Sequence, residues 1–178
     1  MPRRNQTIDI GSASDTGMKR AMNQDRVFSH KGETGNLHAD ALVIVADGMG
    51  GHAAGDIAAT TAIETFTSAL GSADLGNGTR AAMERAALEA NRSVFEKAHN
   101  ENLEGMGTTL TAVALSGDDA MIAHIGDSRA YLIKSGKAQQ VSTDHSWVEE
   151  QVQAGRLKPE DAREHPSRNV LTRALGID

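Results

Sequence analysis

The chain has 178 residues, enough for one domain with a substantial core. Its 24 acidic against 18 basic residues give a formal net charge of -6, which argues against nucleic acid or an anionic membrane as partner and suits divalent cations. Cysteine is absent, so disulfides, thiol catalysis and thiolate metal sites are excluded; with no signal peptide and no membrane-length apolar run, a cytoplasmic protein is expected.

In chain order, residues 7–14 alternate enough to suggest a first strand and residues 26–29 a second. The turn-rich stretch 31–36 then leads into an apolar run at 42–46 that reads as a buried strand. That run delivers Asp47 into Gly48-Met49-Gly50-Gly51-His52, where the glycines let the main chain approach a ligand closely. Backbone carbonyls there can join the carboxylate as hard oxygen ligands. Gly48 to Ala53 also satisfies a dinucleotide fingerprint, but an acid before its first glycine would repel a pyrophosphate. A P-loop fails because no Gly-Lys-Ser/Thr follows, and a glycine turn with a helix-capping acid stays open.

Residues 54–70 carry Ala58, Ala62, Phe66 and Ala69 at helical spacing, with Gly71 and Gly76-Asn77-Gly78 as the stop. A second helix is expected over 79–102, with Met83, Ala87, Ala90, Val94 and Ala98 as its apolar stripe and Thr79 as its cap. Strands follow at 108–115, 120–125, 130–133 and 138–141, joined by turns so short that neighbours must be antiparallel. The pattern predicts an α+β layered fold with helices packed outside sheets. Further on, Asp144 can cap a helix over 146–154 closed by Gly155, Pro159 can start a short one, and His165-Pro166 breaks it. Residues 144–175 are expected to form a surface flap on a single domain spanning 1–178.

Three acids share a position at predicted strand ends: Asp25 just before a strand, Asp47 just after one, and Asp127 between two. If those ends converge, the carboxylates repel and require cations, and oxygen donors without cysteine favour Mg²⁺ or Mn²⁺ over zinc. Arg20, one short loop before Asp25, suits a phosphate clamp; its plain alternative is a surface salt bridge. Of the histidines, His124 reads as a satisfied core residue in a strand, His145 as a turn or cap, and His165 as part of a breaker.

The motifs Arg20-Ala21-Met22-Asn23-Gln24-Asp25, Val45-Ala46-Asp47-Gly48-Met49-Gly50-Gly51-His52, Gly105-Met106-Gly107-Thr108-Thr109, His124-Ile125-Gly126-Asp127-Ser128-Arg129-Ala130-Tyr131, Asp144-His145-Ser146 and the run from His165 to Gly176 occur in this order. Together they resemble bacterial metal-dependent serine/threonine protein phosphatases of the protein phosphatase 2C type. The resemblance implies an α-β-β-α sandwich of two antiparallel sheets flanked by helices, holding two and in some members three Mg²⁺ or Mn²⁺ ions. It implies hydrolysis of phosphoserine and phosphothreonine in proteins by a metal-activated water, on substrates of a serine/threonine kinase.

By the same resemblance Asp47 bridges both ions, the Gly48 carbonyl binds one, Asp25 supports the site from behind, Asp127 attends a third metal, and Arg20 binds the phosphate. His52 is the candidate to protonate the leaving oxygen, although Met49, Gly50 and Gly51 shift it relative to Asp47. Gln24 departs from the pattern, since many members carry Glu there; an amide can still orient water at lower charge.

The family pattern continues into further strands with two more metal-binding aspartates, and neither occurs after Asp178. The chain is therefore expected to be a fragment lacking the C-terminal strands. Two functions follow as alternatives: a phosphatase completed by residues elsewhere, or a catalytically silent module that binds phosphoproteins through Arg20. Strands without their neighbours expose edges and apolar faces, so self-association is expected.

Overall fold

The apolar run at 42–46 becomes the middle of β2 (Ala41–Met49), the strand around which the sheet is built. The computed structural model describes residues 7–32, 39–51, 53–72 and 78–177. β1 (Asp25–Lys31) and β4 (Leu110–Ser116) flank β2 antiparallel, and β5 (Asp119–Ile125) lies beyond β4. The short β3 (Gly107–Thr108) pairs with the last residues of β2. A separate two-stranded sheet holds β6 (Tyr131–Lys134) and β7 (Lys137–Gln140). Its tight turn places Ser135 at φ +51° and Gly136 at φ +74°, the left-handed pair that matches the twist of a two-residue hairpin.

Alternation along β2 decides which way the sheet faces. Leu42, Ile44 and Ala46 are fully buried, whereas Val43, Val45 and Asp47 point to the opposite side. Against the buried face pack α1 (Ala54–Ser72) and α2 (Gly78–Asn100). Ala58, Ala62, Phe66 and Leu70 of α1 join Met83, Ala86, Ala90 and Val94 of α2 in one cluster with Leu42 and Ile44. Alanine on both helices lets them come close, and Phe66 fills the remaining space at the centre. Among the described residues no helix is long and apolar enough to cross a membrane.

The last third returns to the sheet. α3 (Trp147–Gln153) and α4 (Pro159–Ala162) are followed by a stretch that bridges back, with Thr108 and Leu175 exchanging N–H···O bonds of 3.1 and 2.8 Å. Gly176, at φ +82°, lies so close to Val94 that a β-carbon would collide with it, and its N–H donates to Asn91 Oδ1 at 2.8 Å. Leu175 and Gly176 are thereby clamped between α2 and β3.

The α+β architecture with antiparallel sheets matches the sequence expectation, with local differences: the expected strand over 108–115 is split at Thr109 into β3 and β4, α1 runs through Gly71 to Ser72, and four more follow. Residues 7–14 form no strand: they are largely exposed, and a ladder needs an edge to pair with. β2 runs on to Met49 because Asp47 pairs with Asp25 and Gly48 with Thr108, so Asp47 lies inside a strand, not after one. α2 begins at Gly78, which puts Thr79 in its first turn instead of at its cap. Ser146, not Asp144, caps α3, accepting the Glu149 N–H at 3.4 Å, because the Asp144 carboxylate is taken by Arg129. Most of the turn at 31–36, residues 76–77 of the helix stop, and His52 lie outside the described residues.

Candidate metal and phosphate site

Asp25 opens β1 and stands directly opposite Asp47 of β2 in the antiparallel register. Facing residues in such a pair project from the same side of the sheet with Cβ atoms about 5 Å apart, and like charges there repel. The consequence is visible at Asp47, whose half-buried carboxyl is pushed up to about 6. Burial is the main cause, followed by the charge of Asp25 and a hydrogen bond with it; Asp127 adds a further push and the Arg20 guanidinium opposes. The fold therefore brings Asp25 and Asp47 into contact and sets Asp127 and Arg20 within electrostatic reach of the same carboxyl. Arg20 itself is exposed.

The glycines after Asp47 explain how the first turn of α1 can rest on the end of β2. A β-carbon on Gly48 would strike the Gly55 backbone carbonyl, and one on Gly55 would come within 2.8 Å of the Gly48 oxygen and of the Gln24 side chain. Gly48 N–H donates to the Gln24 carbonyl at 3.2 Å, and the Gln24 amide reaches the Gly50 carbonyl at 3.5 Å. The Gly48 main chain and Gln24 thus lie beside the acid pair.

On its other side Asp47 is held by two threonines. Thr109 N–H and Thr108 Oγ1 donate to the Asp47 carbonyl at 3.0 and 3.1 Å, and the Asp47 N–H donates to Thr109 Oγ1 at 2.9 Å. Thr109 Oγ1 also lies 2.7 Å from Ser128 Oγ, next to Asp127. Sequence reasoning missed these hydroxyls. Gly105-Met106-Gly107-Thr108-Thr109 stood out only as a motif, and the partners of Thr109 are 62 and 19 residues away.

Asp127 lies in the loop between β5 and β6, as expected. Gly126, at φ +108°, exchanges bonds with His145: its N–H donates to His145 Nδ1 at 3.1 Å, and its carbonyl accepts the His145 N–H at 2.7 Å. The His145 ring stacks on His124 with centroids 5.1 Å apart. Burial, followed by the charges of His124 and Arg173, lowers the His145 pKa, in keeping with a Nδ1 that accepts. His124 is satisfied through Thr111 Oγ1 and the Thr143 carbonyl, each at 2.9 Å, but it is half-buried and lies outside the core cluster instead of within it.

Beyond Asp127 opens a groove of about 720 Å³ lined by Arg129, Asp144, Glu149, Arg163 and Arg168 among others. At its base Arg129 grips the buried Asp144 with bonds of 2.6 to 3.0 Å to both carboxylate oxygens, which raises the guanidinium pKa further.

The donor chemistry of the acid pair, carboxylates and backbone carbonyls without thiol, fits a hard divalent cation, which would offset both the burial of the Asp47 carboxylate and its repulsion by Asp25. The fit is partial. Among the described residues no three histidine or acidic side chains converge closely enough to hold a metal by themselves.

The sequence pattern of the family described as Protein phosphatase 2C matches residues 18–176. The serine/threonine protein phosphatase PstP of Mycobacterium tuberculosis is 37% identical over 169 residues, covering 94% of this chain and 31% of that protein. Protein phosphatase PhpP of Streptococcus pneumoniae is 37% identical over 171 residues, covering 95% of this chain and 68% of that protein. A crystal structure of the PstP catalytic domain in complex with two manganese ions superposes with a TM-score of 0.74 at 37% identity, covering 92% of this chain and 65% of that one. The chain thus spans about a third of the length of PstP and about two thirds of PhpP.

Proposed function

The chain belongs to the protein phosphatase 2C family, and from that premise we propose that it serves the Mg²⁺- or Mn²⁺-dependent hydrolysis of phosphoserine and phosphothreonine in proteins. The observation that carries this reading is the cross-strand pairing of Asp25 with Asp47, on a carboxyl that also feels Arg20 and Asp127.

In this reading Asp47 and the Gly48 carbonyl are the residues that would hold the ions, Asp25 supports Asp47 from the neighbouring strand, and Asp127 contributes from the β5–β6 loop. The ions, once bound, would activate water for in-line attack on phosphorus and offset charge on the phosphoryl oxygens. Arg20 donates charge-assisted hydrogen bonds to those oxygens and so orients the substrate. Gln24, with its amide beside the acid pair, orients water without adding charge. His52 supplies a proton to the leaving serine or threonine oxygen. Residues 144–175 act as a flap over the groove beside Asp127, where a phosphoprotein substrate of a serine/threonine kinase would dock. A cytoplasmic setting suits a chain without cysteine.

The partial donor set favours a second reading, a catalytically silent module that binds phosphoproteins through Arg20. Phosphate release from a phosphothreonine peptide, measured with and without Mn²⁺ on a protein that continues this chain through the remaining strands of the family pattern, separates the two. The first predicts Mn²⁺-stimulated turnover that chelator and Asp47→Asn each abolish; hydrolysis indifferent to chelator overturns it. The second predicts no turnover but phosphopeptide binding that Arg20→Ala removes.

A further inference from the structure

Building on the proposed function, we propose that Thr109 is a positioning residue: its one buried hydroxyl ties the end of β2 to the β5–β6 loop and thereby fixes the separation of Asp47 and Asp127. Thr109 is 2% exposed, so its hydroxyl has no recourse to water. One lone pair accepts the Asp47 N–H at 2.9 Å, and the same oxygen lies 2.7 Å from Ser128 Oγ. A single atom thus touches the residue that carries one acid and the immediate neighbour of the other. The methyl half of the side chain has its own task. A β-carbon on Gly126 would come within 2.5 Å of Thr109 Cγ2, so the loop lies flat on that methyl and has room only because residue 126 is glycine. Thr111 Oγ1 adds a second tie by donating to the Ser128 carbonyl at 2.8 Å.

Carboxylates in a shared site repel, and that repulsion acts to spread the end of β2 and the β5–β6 loop apart unless a neutral link holds them together. The Thr109 hydroxyl is such a link. It opposes the spreading without donating to either carboxylate, so neither loses a lone pair that a cation needs. Threonine is suited to the position because serine lacks the methyl that seats Gly126, and valine lacks the oxygen.

A purely structural role would leave Thr109 as a cap for one buried N–H. Ser128→Ala separates the alternatives, since it cuts the link at the Asp127 end while the Asp47 N–H keeps its acceptor. Mn²⁺ titrated calorimetrically into the purified chain should bind about tenfold more weakly to Ser128→Ala and to Thr109→Val, the loss typical of a supporting partner, and within about twofold of wild type to Thr109→Ser. Wild-type affinity in Ser128→Ala, or a loss in Thr109→Ser equal to that in Thr109→Val, would overturn the proposal.

A metal-free measurement keeps this test apart from that of the functional reading. Hydrogen exchange at the Gly126 amide, followed by NMR in chelator, should quicken in Ser128→Ala and Thr109→Val as the loop loosens; unchanged exchange in both refutes the link. Should the wild-type chain bind no Mn²⁺, the ions need donors beyond those of this chain, and the exchange result alone decides the role of Thr109.

Discussion

Replacing Asp47 with asparagine should stabilise the metal-free chain while removing its proposed chemistry. In the folded state the carboxyl is raised from 3.8 to about 6, chiefly by burial and by Asp25 across the strand pair. Raised folded affinity for a proton means that the strain is absent below the unfolded value of 3.8, grows between 3.8 and about 6, and is fully present above that. Two pKa steps correspond to a ceiling of about 3 kcal/mol. The side chain is only half-buried, so solvent screening reduces this to about 1 kcal/mol. An asparagine amide carries no charge and can still donate to Asp25. Scanning calorimetry in chelator at pH 7.5 should therefore show Asp47→Asn melting about 2–4 °C above wild type, the shift for about 1 kcal/mol in a chain of this size. The difference should shrink towards zero near pH 4, where wild-type Asp47 is itself protonated. Adding Mn²⁺ should raise the wild-type melting point and leave the variant's unchanged. A variant that melts lower than wild type at pH 7.5, or a gain that persists undiminished at pH 4, would refute the reasoning that burial and the facing Asp25 together disfavour the charged carboxylate.

Two other outcomes follow from the groove and the sheet. Asp144 is 8% exposed on its side chain and Arg129 51%, so Arg129→Ala, which leaves the buried acid without its cation though still accepting from the Gln140 amide at 3.0 Å, should cost more stability than Asp144→Ala, which frees a solvated cation. We expect about 1–3 kcal/mol for the former by urea denaturation, and the reverse order would contradict the argument. Exposed Val27 and Val45 on the sheet, with Leu132 and Ile133 on the hairpin, should drive concentration-dependent self-association; a stable monomer in sedimentation velocity at high concentration would exclude it.

Both long helices and the antiparallel strands were legible in the sequence because their apolar periodicity is local and the turns between strands are short. Phe66 and Val94 announce their faces within a few residues. The pairing of Asp25 with Asp47 was not legible in the same way. Sequence order places both acids at strand ends, but a register is set by hydrogen bonds along the whole ladder, and a one-residue slip would turn one carboxylate to the helix side. The fate of Asp144 illustrates the same limit. Its position before a helix suits a cap, yet a guanidinium 15 residues earlier in the chain outcompetes the helix for its oxygens. Thr109 escaped notice because a threonine in an apolar strand reads as β-propensity until its hydroxyl is seen bridging β2 and the β5–β6 loop.

The segment carrying α3 and α4 is tethered at both feet. His145 grips Gly126 at one end and its carbonyl accepts the Thr172 N–H at 2.9 Å, while Leu175 is laced to Thr108 at the other. A span pinned in this way behaves as an arch whose footings, and not its crown, determine the spacing beneath it. Changing the arch's length costs little, about 0.6 kcal/mol for a doubling. A change in the length of the span therefore leaves its footings, and the acids near them, in place.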